Sequence, residues 1–135
     1  MSAPPRAAVL VMGAGLLCAC STDRPMACTA SFAYITVFAH DGAGHPVPPV
    51  FTITDTIRRT GQSFTMSQDF TEVSPLGTYV IFDDNQQTRI RSSGDSVRVS
   101  GSGTAGRFSA DYIFGVPDGC HVSKLSGPDS VLVSP

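Results

Sequence analysis

Residues 95–114 read DSVRVSGSGTAGRFSADYIF and contain two alternating segments separated by a glycine-rich turn. In the first segment Val97 and Val99 alternate with polar residues, and in the second every other residue from Phe108 to Phe114 is apolar or aromatic. Alternation with a period of two is typical of β-strands that bury one face. The glycines between the two segments favour a hairpin tip. This stretch therefore predicts a pair of strands that bury one face each.

The rest of the chain after residue 28 continues this pattern, with short segments rich in Val, Ile, Phe, Tyr and Thr between clusters of Gly, Pro, Asp and Ser. The strands predicted in this way are 31–40, 50–56, 63–68, 77–83, 95–101, 107–114, 120–125 and 130–133. Segment 77–83, GTYVIFD, is apolar on both faces, which predicts an inner strand covered on both sides. The polar stretch 85–93 predicts a loop or a single helical turn. Together these features predict an all-β fold, a single antiparallel β-sandwich of about seven to eight strands.

Residues 1–19 have the organisation of an export signal. Arg6 precedes an apolar run from Ala7 to Leu17. A run of this length is too short to cross a hydrocarbon core of about 30 Å as a helix, but it matches the apolar region of a signal peptide. We therefore expect residues 1–19 to be removed during export.

The sequence Leu17-Cys18-Ala19-Cys20 ends this leader and resembles the lipobox of bacterial lipoproteins. The resemblance implies cleavage before Cys20 and lipidation of its thiol. Several acyl chains on one residue anchor a protein far more firmly than a single chain, because each buried CH₂ contributes about 0.8 kcal/mol. Two alternatives remain open, namely cleavage before Cys18 and an ordinary secretory cut after Ala19 without lipid.

The expected domain organisation follows from this processing site. Residues 1–19 form a lipoprotein signal peptide, residues 20–27 a lipidated tether, and residues 28–135 the β-sandwich domain. Ser21 follows the modified cysteine, and in the enterobacterial sorting rule the resemblance implies the outer membrane. The predicted location is thus the cell envelope, with the membrane as a partner through the lipid on Cys20.

Two cysteines remain after processing, Cys28 at the head of the domain and Cys120 near its end. Two thiols in an oxidising compartment predict one disulfide. Closing a loop of about 90 residues removes roughly 4–5 kcal/mol of unfolded-state entropy in the chain-entropy model. Metal ligation is the competing use. A Cys/His site would want close pairs such as CxxC or HxxxH, whereas here only Cys120 and His121 are adjacent, and a β-strand places neighbouring side chains on opposite faces.

Residues 35–54, ITVFAHDGAGHPVPPVFTIT, resemble the opening of carboxypeptidase regulatory-like domains. The Gly-x-Pro-Val turn at 44–47 and the Gly-x-Tyr start at 77–79 both fit that family, although Pro75-Leu76 replace its usual Asp-Gly before the second motif. The resemblance implies an Ig-like or transthyretin-like sandwich. The segment 83–128 is also similar to small β lipoproteins of environmental bacteria, a likeness that implies no activity.

The sequence contains no arrangement that predicts catalysis. Gly94-Asp95-Ser96-Val97 is similar to the nucleophile block of GDSL-type hydrolases, but Ser96 would begin a β-strand and no Asp-x-x-His block follows. A net charge of −2, with arginines interspersed with Asp and Ser, argues against a nucleic acid as partner, since such binding needs a broad basic face. Asp83-Asp84 before Asn85 predicts a plain acidic turn. We therefore expect neither an enzyme nor a bound cofactor.

These observations favour a non-catalytic, surface-tethered β-sandwich lipoprotein with a structural or binding role in the cell envelope. Its expected partner besides the membrane is an envelope protein or a polysaccharide, met by loops or edge strands. The alternative is a periplasmic metal- or small-ligand-binding protein that uses His40, His45 and His121. Histidines are common metal ligands, and the first two flank one predicted turn.

Overall fold

The computed structural model describes residues 27–47, 51–68 and 75–135, so the predicted signal peptide, Cys20 and almost the whole tether lie outside the described residues. The described strands are β1 (Tyr34–His40), β2 (Phe51–Ile57), β3 (Ser63–Met66), β4 (Thr78–Asp83), β5 (Asp95–Gly103), β6 (Gly106–Gly115), β7 (Ser123–Ser126) and β8 (Ser130–Leu132). A 3₁₀ helix, Asp84–Arg89, follows β4 and covers the first part of the polar stretch 85–93, for which the sequence predicted a loop or a single helical turn. Within the described ranges no helix has the length and apolar character needed to cross a membrane.

The strands form two sheets that pack face to face, which confirms the all-β sandwich of about eight strands. One sheet has three strands in the order β4-β1-β8, and the other has five in the order β3-β2-β5-β6-β7. All pairs are antiparallel except β1 with β8, which run parallel. The last strand of the chain therefore pairs with the first, and the wholly antiparallel arrangement expected from the sequence is corrected at this one pair.

The hairpin of β5 and β6 forms the centre of the larger sheet and confirms the alternation of residues 95–114. The two strands pair from Asp95 with Phe114 to Gly103 with Gly106, so the connection is only two residues long. Val97 and Val99 are fully buried, and the side chains between them point outward. Gly101 lies opposite Phe108, where a Cβ would collide with the phenyl ring. The glycine thus makes room for an aromatic side chain in the core.

Strand β4 is buried as predicted, but its place in the sheet differs from the prediction. Among the described strands it pairs only with β1, so the expectation of an inner strand is wrong. Its outer edge is covered by Gln68, whose side-chain amide donates to the carbonyl of Val80 (2.8 Å) and accepts from its N–H (2.9 Å). The amide group of Gln68 therefore replaces a neighbouring strand at this point, which allows an edge strand to be almost entirely apolar.

A register shift between β1 and β4 explains how both an odd-numbered and an even-numbered aromatic residue of β4 face the core. Ile35 pairs with Phe82 and Thr36 with Val80, so Ile81 is an extra residue. The aromatic rings of Tyr79 and Phe82 then both contact the opposite sheet. Tyr79 lies 5.4 Å from Phe51, and Phe82 stacks on Phe114 at 4.5 Å between ring centroids. The bulge thus lets both Tyr79 and Phe82 face the core, although three positions separate them along β4.

Candidate functional site

A disulfide joins Cys28 to Cys120, which confirms the pairing predicted from the sequence. The bond links the segment before β1 to the loop before β7, 92 residues further along the chain. Since residue 28 lies eight positions after Cys20, this bond fixes the chain to the domain shortly after the predicted lipidation site.

Asp84 makes a second connection beside the disulfide. It directly follows β4, and its carboxylate accepts hydrogen bonds from the N–H groups of Ala33 and Val122, both at 2.8 Å. The same carboxylate contacts Nδ1 of His121 at 2.7 Å. One side chain thus holds three separate segments of the chain together. We call Asp84, His121 and the disulfide the terminal clamp.

The electrostatics of Asp84 agree with this role. Partial burial raises the pKa of its carboxyl group, but hydrogen bonds from Ala33, Val122 and His121 outweigh that effect and hold the pKa below its usual value. The side chain is 10% exposed, so the charge is shielded from bulk water. The carboxylate therefore stays ionised, and its contacts are retained until the solution becomes strongly acidic.

The clamp continues to a hydroxyl group. Nε2 of His121 lies 3.0 Å from Oγ1 of Thr29, which in turn lies 2.7 Å from Oγ of Ser31. Acid, imidazole and hydroxyl follow one another in the order found in serine hydrolases. A groove of about 410 Å³ beside them is lined by the disulfide, Thr29, Phe32, Asp84, Asn85, Gln87, Gly119 and His121.

Several backbone N–H groups around this groove already have acceptors within the protein. Catalysis by a serine hydrolase needs free N–H donors aimed at the oxyanion. The N–H groups of Cys120 and His121 both donate to Asp118, and that of Gly119 donates to Val116. The N–H groups of Ala33, Asp84, Asn85 and Val122 also have acceptors within the protein. These seven N–H groups are therefore engaged in holding the segments before β1, after β4 and before β7 in place.

The three histidines of the metal-binding alternative occupy two separate places. Nδ1 of His40 lies 2.8 Å from the carbonyl oxygen of Asp41, and Nδ1 of His45 lies 3.3 Å from the Asp41 carboxylate. The turn therefore brings His40 and His45 to the same residue, while His121 belongs to the terminal clamp. Within the described ranges, no group of three or more His, Cys, Asp or Glu side chains is arranged to hold a metal ion.

Ser96 lies where the sequence predicts it, as the second residue of β5 with an exposed side chain. Asp95 before it is buried and accepts hydrogen bonds from the guanidinium groups of Arg59 (2.6 Å and 2.9 Å) and Arg91 (3.0 Å). These bonds, led by those from Arg59, hold the pKa of Asp95 far below its usual value. The residues similar to a nucleophile block thus form the start of β5, which ion pairs of Asp95 with Arg59 and Arg91 hold in place.

Sequence reasoning missed the role of Asp84. Its partners Ala33, His121 and Val122 lie 51, 37 and 38 positions away along the chain, so no local sequence pattern predicts these contacts. The comparisons with known proteins add no relative: no family model, curated protein or solved structure matches the chain. Membership of the carboxypeptidase regulatory-like family therefore stays a prediction.

Proposed function

We propose that the chain is a non-catalytic β-sandwich lipoprotein, tethered through lipid on Cys20 to the cell envelope, where it has a structural or binding role. Residues 1–19 act as its signal peptide and residues 20–27 as its tether, and the outer membrane is its location. Its partners are the membrane and an envelope polymer. The observation that carries this proposal is the terminal clamp, which ties the chain to the domain eight residues after Cys20.

The clamp suits a protein that is held from its N-terminus. A pull on the tether reaches the disulfide first, and the Asp84 hydrogen bonds share the load with a second segment. The domain behind this point is then shielded from unfolding strand by strand, because β1 is reached only after both connections.

The non-catalytic part of the proposal rests on the occupied backbone donors around Thr29 and His121. The alternative role in metal or small-ligand binding through His40, His45 and His121 has weaker support. Two of these histidines share the turn at Asp41, and the third is engaged with Asp84 and Thr29.

Membrane association of the Cys20→Ser variant tests the proposal. We expect the parent chain in the membrane fraction of a bacterial host, with an acylated N-terminal Cys20 by intact-mass analysis. The Cys20→Ser variant loses the thiol that we propose accepts the lipid, and it should be recovered in soluble periplasmic extracts. Cys18→Ser is the matched control, because it removes a leader thiol and should leave anchoring intact.

Three outcomes would contradict this proposal. The first is an unmodified mature chain starting at Cys20 or Ser21. The second is equal membrane recovery of parent and Cys20→Ser chains. The third is loss of anchoring in Cys18→Ser alone, which would move the lipid to that cysteine.

A further inference from the structure

The outer face of the five-stranded sheet carries hydroxyl side chains in register across four strands. Cross-strand pairing aligns Thr65, Thr54, Ser100 and Ser109 in one row. The row on one side contains Thr52, Ser102 and Arg107, and the row on the other contains Ser63, Thr56, Arg98 and Asp111. Neighbouring strands lie about 4.8 Å apart, so the hydroxyl groups recur at regular intervals across the sheet. We call these three rows the hydroxyl face.

Positive charge is concentrated on this face although the chain as a whole has a net charge of −2. Arg98 and Arg107 lie on the face, and Arg58 reaches it from the end of β2, whereas Asp111 is the one acidic residue in the three rows. Both Arg58 and Arg98 donate to the Asp111 carboxylate at 2.9 Å. One carboxylate therefore orients two guanidinium groups but neutralises only one of them.

The arginines also border an open groove of about 290 Å³, lined by Thr56, Arg58, Gly61, Arg98 and Ser100. Arg58 and Arg98 are 46% and 48% exposed, so a guanidinium edge of each remains available beside its contact with Asp111. Guanidinium groups bind carboxylates and phosphates through paired hydrogen bonds, and their fixed geometry selects planar or tetrahedral anions.

From this arrangement we propose that the hydroxyl face binds an acidic polysaccharide. An extended sugar polymer offers hydroxyl groups at regular intervals to the Ser and Thr rows, and its acidic groups meet Arg58, Arg98 and Arg107. This inference rests on the proposed function, since it names the envelope polymer that the tethered module contacts.

The composition of the face favours a polysaccharide over other polymers. Protein interfaces have an apolar centre with aromatic anchors, whereas the three rows contain neither aromatic nor aliphatic side chains, and the exposed Ile113 lies at their edge, two residues beyond Asp111. Single-stranded nucleic acids need stacking platforms, and duplexes need a broader basic surface than one interrupted by Asp111. Without an aromatic platform, a neutral glycan would lack the stacking contact that holds its rings. Charge and hydroxyl contacts must therefore carry the recognition.

The test is retention of the full chain, purified in detergent, by immobilised polygalacturonate, with dextran and polyglutamate as comparison polymers. We expect binding to polygalacturonate that weakens as salt rises, and little binding to the other two. Arg58→Gln and Arg98→Gln should each weaken binding on the order of tenfold, because each removes a guanidinium contact to the acidic groups. Lys124→Gln is the charge control, since it removes one positive charge, ion-paired with Asp129, from the face of the sheet opposite the hydroxyl face.

A second variant separates hydroxyl recognition from charge alone. Thr54→Val with Ser100→Ala removes two neighbouring hydroxyls of the middle row without changing charge. We expect weaker binding to polygalacturonate with the same salt dependence, while circular dichroism shows an unchanged fold. The inference is overturned if these hydroxyls are dispensable, if Lys124→Gln weakens binding as much as Arg98→Gln, or if dextran or polyglutamate binds equally well.

The experiments on anchoring and on polymer binding test the two proposals independently. A chain that fractionates with membranes but does not bind polygalacturonate overturns this inference and leaves the lipoprotein proposal intact. A chain that binds the polymer but is not lipidated does the reverse.

Discussion

Asp55 is an acidic residue that lies fully buried in the core, where a carboxyl group is not expected. It lies in the middle of β2 with no exposed surface, opposite Val99 and Phe64. Among the described residues, neither carboxyl oxygen has a hydrogen-bond partner. Burial raises the pKa of Asp55 to about 8, and the charge of Asp83 adds to the effect. The folded protein therefore holds Asp55 in its neutral form at neutral pH, because an ionised carboxylate in this core would be strongly unfavourable.

This environment predicts that stability falls as the pH rises. The unfolded chain releases the Asp55 proton near its usual pKa of about 3.9, and the folded chain keeps it until about pH 8. Between these values the folded state binds more protons, so the free energy of unfolding should fall by about 1.4 kcal/mol per pH unit. Asp55→Asn cannot ionise and should lose this slope. Urea unfolding between about pH 5 and about pH 7.5 measures both chains.

Asp111→Asn provides the control. The pKa of Asp111 is lowered to about 2, first by Arg98 and then by Arg58, so its stabilising contribution is present above the unfolded pKa and lost only as pH falls. This variant should keep the slope of the parent chain at neutral pH. Parallel curves for the parent and Asp55→Asn would show that Asp55 is already ionised in the folded state.

At the scale of residues, the alternation of strands was predictable and the exceptions were not. Val97, Val99 and Phe114 are buried as their spacing predicts, because alternating side chains take opposite faces of a sheet. Asp55 follows the same spacing, but the cost of burying a carboxyl group argues against placing it inside. Only the surrounding core shows that the neutral acid is accommodated.

At the scale of elements, β4 shows what pattern alone leaves undetermined. An apolar segment signals burial, but it does not say whether neighbouring strands or side chains provide the cover. Here β1 covers one edge and Gln68 covers the other at Val80. The bulge at Ile81 could not be predicted either, because a bulge depends on how a strand pairs with its neighbour.

The Gln68 contact predicts a measurable loss of stability on truncation. Gln68→Ala leaves the N–H and the carbonyl of buried Val80 without this partner. A buried polar group left without a hydrogen bond destabilises a protein by about 1–3 kcal/mol. We expect the free energy of unfolding to fall by about 2 kcal/mol in urea titrations. Gln62→Ala, an exposed substitution between β2 and β3, should change it by less than about 0.5 kcal/mol. Equal effects of the two substitutions would mean that water replaces the Gln68 amide.

At the scale of the whole molecule, the parallel pair of β1 and β8 joins the two ends of the domain. Phe38 pairs with Ser130 and His40 with Leu132, and the chain between them builds both sheets. Such a contact carries a high entropic cost of closure, because it joins residues about 90 positions apart. The sequence predicted the class of fold and the disulfide between Cys28 and Cys120. It did not predict the topology, since strand order depends on contacts that no local pattern encodes.

The disulfide should therefore contribute a large share of the stability of the domain. Cys28→Ala with Cys120→Ala removes the bond without leaving a free thiol, and we expect the free energy of unfolding to fall by about 2–5 kcal/mol in urea titrations. The parent chain under reducing conditions should match the double variant, whereas Cys20→Ser should retain the stability of the parent. Since Asp84 still joins Ala33 to Val122, the β-sheet signal in circular dichroism should persist in the double variant. A loss below about 0.5 kcal/mol would mean that the Asp84 contacts alone close the molecule, and that the covalent bond serves only the tether.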